Sequence, residues 1–106
     1  MEQNQLESIM GLIINAGNAK SDAMEAIQLA KVGDFEQAKK KLDSANESLI
    51  AAHHSQTTLL TEEANGEAVE ITLLTIHSQD HLMTSISFYD LAKEFVELYE
   101  KLADNK

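Results

Sequence analysis

Phe35, Ala38, Leu42, Ala45, Leu49, Ala52, Gln56 and Leu59 recur in an unbroken alternation of three and four residues. That spacing holds one stripe of side chains on one face of an α-helix. Lys39, Lys40, Asp43, Glu47 and Ser48 fall off the stripe. The segment is therefore a helix with one buried seam, and such a helix must pack in a bundle.

The rest of the chain supplies its partners. From about Gln3 to Lys31, Leu6, Ile9, Ile13, Ala16, Ala23, Ile27 and Ala30 follow the same periodicity. Met10, Leu12, Ile14 and Ala19 widen that stripe, so this first helix has two apolar sides and two neighbours. Gly11 and Gly17 each cost about 1 kcal/mol relative to Ala in a helix interior. Small residues there let another backbone approach closely, or they are merely tolerated. Val32-Gly33-Asp34 is the first break. Gly33 suits a left-handed helix terminus, and Asp34 with Gln37 reads as the capping box of the second helix, with Glu36 suiting the dipole.

Glu62-Glu63-Ala64-Asn65-Gly66-Glu67 is the second break, with Asn65-Gly66 as its turn dipeptide. A third helix is expected from Glu67 or Ala68 to about Leu102, roughly 50 Å long at 1.5 Å per residue. Val69, Leu73, Ile76, Met83, Phe88, Leu91, Phe95, Leu98 and Leu102 form its expected intramolecular stripe. Leu74, Ile86 and Val96 add apolar surface, and Tyr89 and Tyr99 are read as packing residues. The tail from Ala103 to Lys106 is expected to fray. Three long helices with short breaks predict an all-α, up-down-up three-helix bundle in one domain, residues 1–106. The first and third helices carry more apolar surface than a three-helix monomer can bury, which implies a homo-oligomer.

Composition narrows the function classes. There is no cysteine, so neither a disulfide nor a thiolate metal site is available. No run of about 18 apolar residues spans a membrane. The N-terminus lacks the basic start and apolar run of a signal peptide, so a cytoplasmic protein is expected. A net charge of −10 without any arginine argues against nucleic-acid binding. It favours a basic partner surface through faster encounter, although acidity equally serves solubility.

The chemistry-bearing stretch lies mid-helix in the third segment. His77, Asp80 and His81 are three and four residues apart and share a face with Leu73 and Thr84. Polar groups at interface positions need a partner or a purpose. Three readings fit the residues. The face is simply solvated; or His77 and His81 ligate a transition metal beside Asp80; or His77 is a nucleophile. The pair lacks the intervening Glu of a metalloprotease helix. His53 and His54 are adjacent, about 100° apart on a helix, and read as surface residues.

The run Ile76-His77-Ser78-Gln79-Asp80-His81-Leu82-Met83-Thr84 resembles the active-site helix of the lactose/cellobiose-type IIA proteins of the bacterial sugar phosphotransferase system. Ile9-Met10-Gly11-Leu12-Ile13-Ile14-Asn15-Ala16-Gly17-Asn18-Ala19-Lys20-Ser21 resembles the family's first helix, and Gly33-Asp34-Phe35 with Ala38 the start of its second. The resemblance implies a nine-helix homotrimer with the third helices around a three-fold axis. It implies that His77 accepts a phosphoryl group from phospho-HPr and passes it to a cysteine of the IIB component, which phosphorylates a disaccharide entering through the IIC permease. Contact with the membrane is then only indirect. His81 is a candidate for stabilising the phosphoryl group, and Gln79, which points further round the helix, is a weaker one. The matching aspartate lies on the trimer axis, so Asp80 is expected to bind one Mg²⁺ per trimer. With no arginine, a cationic clamp on the phosphoryl group must be a lysine, a helix N-terminus or a partner. The competing class is a non-catalytic, acidic helical-bundle adaptor or scaffold that binds metal.

Overall fold

The computed structural model describes residues 1–105 and contains α1 (Gln3–Lys31), α2 (Phe35–Ala64) and α3 (Leu73–Asp104). The molecule measures 58 Å along the helices and 21 × 16 Å across. α1 ends at Gly33 as expected, but α2 runs on through Glu62, Glu63 and Ala64, residues expected in the break, before Gly66 ends it. Gly33 and Gly66 have φ of 85° and 88°, a conformation that L side chains rarely adopt. At each, paired backbone bonds close the terminus: Gly33 N–H to Ala30 and Asp34 N–H to Leu29, then Gly66 N–H to Glu63 and Glu67 N–H to Glu62. Asp34 caps α2 by accepting from the Gln37 N–H at 3.2 Å.

The start of α3 differs from the sequence expectation. Glu67 to Thr72 are not helical, Thr72 itself being extended, and the helix begins at Leu73. Thr72 is the N-cap: its Oγ1 accepts from the Thr75 N–H at 3.2 Å. The Thr75 hydroxyl donates back to the Glu70 carbonyl at 2.8 Å, which holds the approach to the helix in place. The buried Gln5 side chain donates to the Ala68 carbonyl at 3.4 Å. A threonine cap thus outcompetes the helix propensity of Glu67 and Ala68. At the other end α3 continues through Ala103 to Asp104 instead of fraying; Lys106 lies outside the described residues.

Packing follows from alanine. Ala16, Ala19, Ala23, Ala26 and Ala30 of α1 are buried, as are Ala38, Ala45 and Ala52 of α2. α1 is the central helix; it packs extensively against both others, which touch each other less. α1 has two buried sides, since Ile9, Ala16, Ala23 and Ala30 are buried together with Leu12, Ala19 and Ala26, but Met10 and Ile14, expected to widen the stripe, are exposed. The α2 seam is also as read: Ala38, Ala45, Leu49, Ala52 and Leu59 are buried, with Phe35 and Leu42 packed alongside. Tyr89 and Tyr99 pack against the core from half-buried positions.

The α3 stripe is the main correction. Its buried face is Thr75, Ser78, Leu82, Ser85, Ala92 and Val96. Leu73, Ile76, Met83, Leu91, Phe95, Leu98 and Leu102 point outward, each between 47% and 84% exposed. Of the expected stripe only Val69 and Phe88 pack on the core. Helix separation depends on side-chain size at the contact. An alanine-lined α1 draws α3 close, and beside Leu82 and Val96 the residues beneath it are small. Ser85 illustrates the selection: it is fully buried and its hydroxyl has no hydrogen-bond partner among the described residues. Leu82 is the one large, fully buried side chain in the middle of α3. Leu82→Ala is therefore expected to destabilise the fold by about 2–5 kcal/mol, read as a lowered urea midpoint.

Candidate functional site

His77 and His81 emerge from α3 one turn apart. Their ring centroids are 5.6 Å apart and their planes 13° from parallel. His77 is exposed and His81 half-buried. α1 and α3 run parallel, with Gln5 beside Ala68 and Gly17 beside His81. His81 therefore rests against α1, whereas His77 faces outward. No imidazole nitrogen of either ring has a hydrogen-bond partner among the described residues.

The residues between them turn elsewhere. Ser78 is buried and donates to the Thr75 carbonyl at 2.7 Å. Gln79 faces α2, where its Oε1 accepts from Gln56 Nε2 at 2.7 Å. Within one chain, then, Gln79 is not brought to His77. At about 100° per residue, Asp80 lies near the middle of the outward apolar face and His77 at its edge. Asp80 is exposed, flanked by exposed Ile76 and Met83, and its carboxylate has no ion pair among the described residues. Among the described residues, no three His, Asp or Glu side chains group so as to hold a metal. The imidazole pair therefore has no third ligand in its own chain. What the pair offers is an accessible nucleophilic nitrogen with a second imidazole beside it.

The profile of the lactose/cellobiose-specific IIA subunit of the phosphotransferase system matches residues 7–100. The chain belongs to this IIA family. It is 48% identical over its full length to the lichenan-specific phosphotransferase enzyme IIA component of Bacillus subtilis strain 168, covering 96% of that protein. The crystal structure of the cellobiose-specific enzyme IIA of Bacillus anthracis superposes with a TM-score of 0.95 at 45% identity, over 100% of this chain and 97% of that one. The chitobiose IIA of Escherichia coli, solved in complex with HPr, superposes with a TM-score of 0.82 at 42% identity, over 97% of this chain and 99% of that one.

Two further residues adjoin Gln79 and His81. Gln56 anchors Gln79; its signal is a polar residue at a heptad seam position. Gly17 lies against His81, so a side chain takes the place where a close backbone is expected from the sequence. His53 and His54 are both exposed on α2. Lys20 sits over the Phe88 ring, 5.9 Å from its centroid, in the shallow groove with Met83, Thr84 and Leu91. No helix among the described residues is long and apolar enough to cross a membrane.

Proposed function

We propose that His77 of this IIA component is the phosphoryl acceptor, taking the group from phospho-HPr and handing it to a cysteine of the IIB component. The observation that carries this reading is the exposed, unpartnered imidazole of His77 on the α3 turn that also presents His81. The bond from phosphorus to its HPr donor atom breaks as the bond to a His77 nitrogen forms. That bond breaks in turn as phosphorus bonds the IIB cysteine sulfur, and the imidazole is regenerated neutral. Transfer of this kind is a loose, in-line displacement that needs aim and stabilisation of charge on the phosphoryl oxygens. Both steps take place in the cytoplasm, and the membrane is reached through IIC.

HPr is the partner in the solved complex of the E. coli relative, which supports the donor assignment. Relatives between 42% and 50% identical are named for lichenan, cellobiose, galactose, lactose and diacetylchitobiose. That spread fits a carrier that passes phosphoryl groups between proteins and never touches the sugar. Incubation with phosphoenolpyruvate, enzyme I and HPr is the test. An acid-labile, alkali-stable adduct supports the relay; no adduct on folded protein points to a scaffold.

The outward α3 face supports assembly as a homotrimer with the three copies of α3 around the axis. Leu73, Ile76, Met83, Leu91, Leu98 and Leu102 are left to solvent in a single chain, more apolar surface than a soluble monomer ordinarily shows. Asp80 at the middle of that face fits a shared cation site: it is an unpaired oxygen donor that only neighbouring copies can complement. Mg²⁺ bound by the three Asp80 carboxylates, with waters completing its shell, would neutralise charge there and take no part in transfer.

His81 is the candidate that steadies the phosphoryl oxygens. A neutral donor in such a site is worth about 2–4 kcal/mol of barrier, or roughly 10²–10³ in rate. His81→Ala is expected to slow transfer by that factor and leave the site of phosphorylation at His77, as read by rapid-quench transfer and peptide mapping.

A further inference from the structure

We infer that Gly17 is a positioning residue for His81, its missing side chain setting where the second imidazole of the site lies. The inference rests on the phosphocarrier reading, because it takes His77 as acceptor and His81 as its helper. A Cβ added at Gly17 would lie 3.4 Å from His81 Nε2. Outside its own helix backbone and chain neighbours, that nitrogen is the one heavy atom it would meet within 4 Å. Nε2 of the half-buried His81 ring thus lies beside the gap that Gly17 leaves on α1, with the His77 ring 13° from parallel to it.

Gly11 supplies the contrast. A Cβ there would meet Ser55 Oγ at 3.7 Å, an ordinary contact, so Gly11 is tolerated but not required by its surroundings. At Gly17 a methyl group would fill the space beside Nε2. The ring must then yield by a few tenths of an ångström, and its outer nitrogen loses open approach from the α1 side. Donors to a phosphoryl oxygen act over a narrow range of about 2.7–3.1 Å. A displaced ring therefore loses rate out of proportion to the movement. The helix penalty of a mid-helix glycine is tolerated at Gly17 for the sake of this seat.

The test compares Gly17→Ala with Gly11→Ala. Both are expected to keep or raise the melting temperature, since alanine is the better helix former. Gly17→Ala alone is expected to slow phosphoryl transfer, by about 3- to 10-fold. It should also shift the His81 imidazole ¹H–¹⁵N signals of the unphosphorylated protein, while Gly11→Ala leaves both readouts at wild type. In the His81→Ala background, Gly17→Ala should have no further effect on rate, which shows that it acts through that ring. An unshifted His81 spectrum, a wild-type rate, or equal slowing with and without His81 would overturn the inference. If Gly17→Ala fails to fold, adding His81→Ala must restore folding, and failure to do so overturns it equally. If the wild type takes up no phosphate, the functional reading fails, while the spectra still decide whether Gly17 seats His81.

Discussion

His77→Ala is expected to abolish phosphate uptake completely while leaving the helical fold intact. The ring is exposed and makes no hydrogen bond to the described residues, so little packing is lost with it. Alanine also has the higher helix propensity, by at most about 0.7 kcal/mol. Circular dichroism and the melting temperature should therefore match wild type, and intact mass after incubation with phosphoenolpyruvate, enzyme I and HPr should show no added phosphate. The other histidines are poor substitutes. His53 and His54 are exposed on α2 with no second imidazole stacked beside them, and His81 leans on α1. Uptake at wild-type levels by the alanine variant would remove His77 from the mechanism.

Chelation of divalent metal is expected to weaken the proposed trimer at neutral pH. Asp80 lies at the middle of an outward face whose other members are mostly large apolar side chains. Assembly about a three-fold axis along that face brings three carboxylates together away from water. Three such carboxylates repel one another unless a cation sits between them. With metal removed by EDTA, sedimentation should show dissociation. Asp80→Leu should be trimeric and indifferent to the chelator, since an apolar side chain of similar size replaces a buried charge without loss of stability. A wild-type trimer unaffected by chelator would exclude the metal bridge. A monomeric Asp80→Leu protein would show instead that the carboxylate itself is needed for assembly.

The division between sequence and structure runs along particular residues. Helix number, the bounds of α1, the start of α2, the Gly33 terminus and the Asp34 cap follow from local rules, because periodicity, left-handed turns and caps are decided within a few residues. The family, and with it His77 as candidate, was legible in the run from Ile76 to Thr84. The start of α3 was not, because Glu67 and Ala68 are good helix formers and only the Thr72–Thr75–Glu70 hydrogen bonds outweigh them. Nor was the direction in which α3 faces. A hydrophobic pattern favours the largest apolar side chains as core, but beside Leu82 and Val96 an alanine-lined neighbour admits small ones, so Ser78, Ser85 and Ala92 went in and Leu73, Met83 and Leu91 went out. The partners of Gln79 and His81 likewise come from α2 and α1, far away in sequence. Local sequence determined which residues are helical and which carry chemistry. The tertiary structure decided which face is buried and which side chains meet, because close helix packing is set by the volumes of two surfaces together and neither surface specifies it alone.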